Sequence, residues 1–298
     1  MLPLAMLCGV LFHEAIDAVQ FLAPYLIFTM LLITFCKVNP HEFRITRMTW
    51  LLLAVQIPGA VAVYLALRPV DEAVAQGAAI CVLCPTATAA PVITGMLGGS
   101  VARLATFSIV SNAAVAVTAP IMFAAVGSDA GQPDFGSTFG RIATHVAPMI
   151  LLPLATAFVL RGVLPKVHGA IASHQSLSFY LWAVSLIIVV GRAVSFVMSE
   201  PAGRVPQMVA IAGAALVVCC AQFVAGRKIG RRCGDKIAGA QGLGQKNTVL
   251  AIWMSLTYLN PISSVGPAAY VAWQNTINSA QLYVKAKRDR AAAANHHN

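Results

Sequence analysis

The sequence predicts an all-α polytopic membrane protein, and three observations lead there. Of 298 residues 58% are hydrophobic and 10% charged, and the mean hydropathy is +0.77, too apolar for a water-soluble globule of this length. Apolar stretches of about 20 residues recur, each long enough to cross roughly 30 Å of hydrocarbon as a helix. The apolar runs are continuous, without the alternation over about 10 residues that a membrane β-strand needs.

Taken in order, the expected spans are Leu2 to Phe12, Phe21 to Cys36, Met48 to Leu67, Ala73 to Leu97, Val101 to Val126, Thr138 to Leu160, Gln175 to Met198, Val205 to Ala225, Ile237 to Leu259 and Ile262 to Val284. The opening "MLPLAMLCGVLF" has no basic n-region and no small-residue cleavage site after it. It therefore reads as a short first span and not as a removable signal peptide. His13, Glu14 and Asp17 resemble half of an H-E-x-x-H metal helix, but the second histidine is absent, and a short outer loop is expected there.

The net charge of +10 is set between the spans, where it orients the chain. This is the pattern of a membrane protein and not of a nucleic-acid partner. Lys37, Arg44 and Arg47 follow the second span, Arg161 and Lys166 the sixth, and "GRKIGRRCGDK" the eighth, while "GSDAGQPDFGS" after the fifth has no basic residue. With "KAKRDR" at Lys285 to Arg290, the positive-inside rule expects both termini in the cytoplasm of a cell bounded by its inner (plasma) membrane. The final "AAAANHHN", within residues 291–298, is expected to be a disordered tail. The seven cysteines lie mostly in apolar segments, so a disulfide framework is not expected. Cys81 and Cys84 form a C-x-x-C with no second pair, which reads as helix packing and not as a metal site.

Two spans break the pattern. The fourth contains "CPTATAAP", with Pro85 and Pro91 bracketing threonines and alanines, and the ninth contains Gly239, Gly242 and Gly244 in "GAQGLGQKNT". Proline removes an amide donor and glycine relaxes the helix, so both are expected to unwind near the bilayer midplane. In two sets of five, residues 1–130 and 131–290, the broken span is the fourth of each set, and the sets enter the membrane from opposite sides. Paired breaks in inverted repeats point to a secondary transporter with its site at the crossing. Ordinary kinks that ease packing are the plainer alternative.

The broken segments resemble the bile acid:sodium symporter family, of the bile/arsenite/riboflavin transporter superfamily. "CPTATAAPVITGMLGGSVA", Cys84 to Ala102, looks like the family's fourth-helix motif C-P-G-G-T-A-S-N-V-M-T with its G-N-V-A turn. "GLGQKNTVLA", Gly242 to Ala251, looks like the ninth-helix motif E-V-G-M-Q-N-S-G-L-A, and "VGPAAYVAWQNTINS", Val265 to Ser279, looks like the last helix with its W-H-N. The resemblance implies ten helices in two inverted repeats with the fourth and ninth crossing. It also implies a panel domain (helices one, two, six and seven), a core domain (three to five and eight to ten), and alternating access.

Departures from the motifs are equally informative. The family's sodium ligands include an acidic residue, a glutamine and a Ser-Asn pair; here those positions hold Gly242, Lys246, and Ala90 with Pro91. Ser111 and Asn112 keep polar groups in the fifth helix, but hard cations want several oxygens, usually with a carboxylate. This makes the chain a divergent member without the usual sodium sites, and no cofactor is expected. A charged lysine at mid-membrane costs about 2.5 to 3.5 kcal/mol on insertion scales, so Lys246 needs a reason. One reading is a built-in cation that replaces sodium; others are a cavity lysine that pairs with an anionic substrate or cycles a proton, and a snorkelling lysine with no specific role.

Substrate contacts are expected from Thr86 and Thr88 at the first break and Asn247 and Thr248 at the second; by resemblance, Gln274 and Asn275 of the last helix join them. For each, a hydrogen bond between helices is an equal alternative. Arg192 in the seventh span is expected to pair with Glu200 or face the outer cavity. The combined expectation is a monomeric, sodium-independent carrier of a small or amphipathic organic anion. An arsenite or oxyanion efflux carrier using Cys84, and a non-transporting membrane receptor, are the alternatives. No paired carboxylates or nucleophile with its base suggest an enzyme.

Overall fold

The computed structural model describes residues 7, 11–37, 43–128, 134–173 and 175–296. Among these the chain is helical. In order, the helices are α1 (His13–Val19), α2 (Ala23–Cys36), α3 (Arg47–Leu67), α4 (Glu72–Leu83), α5 (Ala90–Leu97), α6 (Val101–Ser128), α7 (Phe135–Val163), α8 (Pro165–Ser173), α9 (Gln175–Ser199), α10 (Val205–Arg232), α11 (Lys236–Gly244), α12 (Thr248–Tyr258) and α13 (Val265–His296). The expected first span lies outside the described residues but for Leu7, Leu11 and Phe12. Residues 13–19, expected as a loop, form α1.

Among the described residues four helical stretches are long and apolar enough to cross a membrane: Arg47–Leu67, Val101–Val126, Phe135–Val163 and Ala202–Arg232. Their most apolar windows are only 28 to 56% buried inside the protein. Large apolar side chains such as Leu65, Val117, Val209 and Val217 therefore point outward, the surface of a membrane protein and not of a soluble bundle. α4 and α12 are shorter, 12 and 11 residues, because each is one half of a broken span.

Aspartates start the first half-helix of each broken segment. Asp71 accepts from the Val74 amide at 2.9 Å at the start of α4. Asp235 accepts from Ile237 and Ala238 at 3.0 and 2.8 Å at the start of α11, and from Ser100 at 2.7 Å across the α5–α6 turn. Such caps satisfy amides that a helix cannot pair internally. That turn is closed by Gly98, whose φ of 86° is a left-handed conformation ordinarily left to glycine.

Small residues then bring the half-helices against their neighbours. A Cβ on Gly239 would fall 2.6 Å from the Cα of Gly230, so α11 packs backbone to backbone on α10. One on Gly266 would fall 2.6 Å from the carbonyl of Gly77, so α13 packs equally closely on α4. α3, α4, α10, α11 and α13 contact one another around the two breaks, while α2 packs on α7 and α9, with α1 on α9. The last helix continues through His296, into the segment expected as a tail; its alanine run has the highest helix propensity of any residue type.

Candidate functional site

The two breaks meet. Thr86 and Lys246 form an isolated antiparallel bridge, in which the Ala87 amide donates to Gln245 O at 3.0 Å and the Asn247 amide to Pro85 O at 2.8 Å. Backbone freed by proline and glycine in one span is thus satisfied by the other. This is how irregular backbone survives at membrane depth. Gln274 of α13 holds the bridge from the side, accepting from the Lys246 amide at 2.8 Å and donating to its carbonyl at 3.3 Å.

At the C-terminal end of α4, carbonyls that a helix leaves unpaired all receive donors. Gln222 Nε2 of α10 donates to Cys81 O at 3.2 Å, Lys246 Nζ to Val82 O at 2.8 Å, and Gln56 Nε2 of α3 to both Leu83 O and Cys84 O at 2.7 and 3.1 Å. Ser111 orients Gln56 by donating to its Oε1 at 2.9 Å. Lys246 is 1% exposed, and its amino group lies at the partially negative end of a helix. A cation there gains up to about 2 kcal/mol from the helix dipole and about 1.5 to 3 kcal/mol from a charged hydrogen bond. The buried amine is therefore held on backbone and does not reach the surface, as a snorkelling lysine would.

The end of α11 is capped in the same manner by neutral groups. Thr86 Oγ1 donates to Gly242 O at 2.9 Å and Tyr270 Oη to Gly244 O at 2.9 Å, and Gln222 also donates to Tyr270 Oη, at 3.0 Å. Each bridge residue therefore caps the half-helix of the other span. Thr86 does so with a hydroxyl and Lys246 with an amine.

Compared with protein-family models and with curated proteins, the chain matches none. Its chemistry must be read from the site itself.

The expected substrate residues fall into two groups. Thr86 and Gln274 are buried with their polar atoms on backbone, and Asn247 Oδ1 accepts from the Leu250 amide at 3.2 Å as the cap of α12, leaving its buried Nδ2 without a partner. Thr248 is buried in the first turn of α12. Asn275 is half-buried and donates back to Val271 O in its own helix at 2.7 Å. Thr88 is the one that reaches a cavity. That cavity, about 460 Å³, is lined by Thr34, Phe35 and Lys37 from the end of α2, by Thr88, Pro91 and Val92 at the α5 break, and by Ser108 of α6.

Among the expected ion-site residues, Gly242 faces apolar side chains. A Cβ there would fall 3.0 Å from Phe107 Cδ1 and 3.3 Å from Leu52 Cδ1, so no carboxylate fits without moving them. Asn112 Nδ2 turns back to Ser108 O at 2.8 Å, and its buried Oδ1 has no partner. Among the described residues no group of three or more His, Cys, Asp or Glu is placed to hold a metal ion. The carbonyls that end α4 already accept from protein donors. Cys81 and Cys84 are buried free thiols, and Cys84 Sγ donates to Asn247 O at 3.2 Å.

Sequence reasoning missed Gln56, Gln222, Tyr270 and Arg141. The glutamines are isolated polar residues in apolar spans, a visible signal whose partners only the fold supplies. Arg141 of α7 lines a second, more polar cavity of about 570 Å³ with Glu72, Gln76, Tyr258 and Asn260. No carboxylate among the described residues pairs with Arg141, since Glu72 pairs with Arg68 at 3.6 Å. Arg192 does not pair with Glu200 as expected. Glu200 pairs instead with Arg204 at 3.2 Å, four residues on in the turn after α9.

Proposed function

We propose that the chain is a secondary transporter of a small or amphipathic organic anion, with the fold of the bile acid:sodium symporter family, in which the Lys246 side chain takes the place of a sodium ion. The observation that carries this reading is a buried amine at the end of a broken span: Lys246 Nζ sits 2.8 Å from Val82 O, and the carbonyls on either side already hold Gln222 and Gln56. A cation tethered to the chain would hold the two breaks together without being transported, so flux would not need a sodium gradient.

Supporting an anion as cargo, each of the two cavities carries a basic side chain, Lys37 in one and Arg141 in the other. They lie at opposite ends of α4 and α5, the broken span, as alternating access requires. In this reading the first span, from Leu2 to Phe12, forms the panel with α2, α7 and α9, and the remaining long helices form the core, in two inverted repeats of five spans in a monomer, with both termini on the cytoplasmic face of the plasma membrane. Nothing at Cys84 favours the arsenite alternative, because its thiol is buried on a backbone carbonyl.

Proteoliposome uptake of radiolabelled carboxylates and sulfonates, with sodium or choline outside, tests the proposal. Saturable flux equal in both salts is expected. Flux that vanishes in choline contradicts the tethered cation, and saturable binding without flux favours a receptor.

A further inference from the structure

We propose that the basic end of the molecule holds an anionic phospholipid, its phosphate between Arg227, Lys236 and Arg288 and an acyl chain along the groove that α10, α11 and α13 form below them. The groove, about 480 Å³, has an apolar floor that includes Leu97, Ile237 and Val284 and a rim of Arg227, Lys236, Lys285 and Arg288. Its one carboxylate, Asp289, is paired with Lys285 at 2.6 Å. That leaves three exposed cations, Arg227, Lys236 and Arg288, lining one groove with no other carboxylate in its lining.

Lys228 and Arg231 extend the charge into an adjoining cavity that shares Arg227 and Lys236. Lys236 adds a second argument: it is the first residue of α11, where its charge adds to the positive end of the helix dipole. An anion at this position relieves both repulsions. A soluble phosphate satisfies the rim but leaves the apolar floor uncovered; a phospholipid satisfies both, and the groove lies at the charged ends of apolar helices, where headgroups are found. Basic pockets between membrane helices bind anionic headgroups by this chemistry. The ligand would join α10, α13 and the N-terminal end of α11, whose other end is the bridge with Thr86.

Thermal melting of the full chain in dodecylmaltoside tests the inference, with added phosphatidylglycerol, phosphatidylcholine, or inorganic phosphate at equal phosphate. Phosphatidylglycerol is expected to raise the midpoint by on the order of 3 °C and the other two to leave it unchanged. The triple variant R227Q/K236Q/R288Q is expected to lose the shift and Lys166→Gln, away from the groove, to keep it. An equal shift with phosphatidylcholine, an equal shift with inorganic phosphate, or a shift that survives in the triple variant overturns the proposal. Should the triple variant not fold, native mass spectrometry of Arg288→Glu, exposed and far along α13, replaces it: at least a fivefold loss of retained phosphatidylglycerol is expected, and unchanged retention overturns the proposal.

Discussion

The ends of α4 and α11 are the same structural problem with two answers. Both are half-helices begun by an aspartate, packed on a neighbour through glycine, and ended at the bridge with carbonyls that have no helical partner. α11 is finished by hydroxyls from Thr86 and Tyr270; α4 is finished by two glutamines and the amine of Lys246. Neutral caps therefore suffice to end a half-helix here. The amine at α4 is more than the backbone requires, and this contrast is the reason to give Lys246 a functional role.

Changing the two caps separately breaks the comparison most sharply. Lys246→Met keeps the volume but leaves Val82 O buried without a donor, and is expected to destabilise by about 3 kcal/mol, read as a lower melting temperature in detergent, with flux falling further than the stability loss explains. Gln56→Leu removes the donors of two carbonyls and the partner of Ser111; about 2 kcal/mol is expected, with flux falling only in proportion to folded protein. Thr86→Val, nearly isosteric, removes one neutral cap from α11 and is expected to be worth about 1 kcal/mol. Should Thr86→Val abolish flux as fully as Lys246→Met, the two ends are equivalent and the charge has no special part.

A smaller effect concerns the cavity beyond α5. Burial holds the Lys37 ammonium below the ordinary lysine range. Because the charged form exists only below that lowered value, anion affinity from the Lys37 side is expected to be full at lower pH and to fall as pH rises through it. Lys37→Arg, charged throughout, is expected to keep affinity across the same window. A pH series of binding to both proteins checks this, and parallel profiles would remove Lys37 from the site.

Much of this was legible in the sequence. Pro85 stands in the first break, and the Gly239, Gly242, Gly244 run stands just ahead of the second; the glycines were expected to unwind, but they stay helical in α11, where Gly239 serves close packing on α10, and the chain opens only after Gly244. That Lys246 stands in an apolar segment was equally plain, and the protein buries it. What it touches was not, since Val82, Gln56 and Gln222 come together only when three helices pack. Residues 13–19 form a helix where a loop was expected. Gly242 also reads differently in three dimensions: restoring a carboxylate there appears simple on paper, yet Phe107 and Leu52 fill the space.

Sodium binding is the most direct test of the tethered cation. Purified wild-type protein and Lys246→Ala are melted in sodium chloride and in choline chloride at equal ionic strength. Wild type is expected to melt at the same temperature in both, and Lys246→Ala to melt lower than wild type in both salts alike, because the change frees only Val82 O and one carbonyl makes no sodium site. Stabilisation of the wild type by sodium, undiminished in Lys246→Ala, would contradict the account.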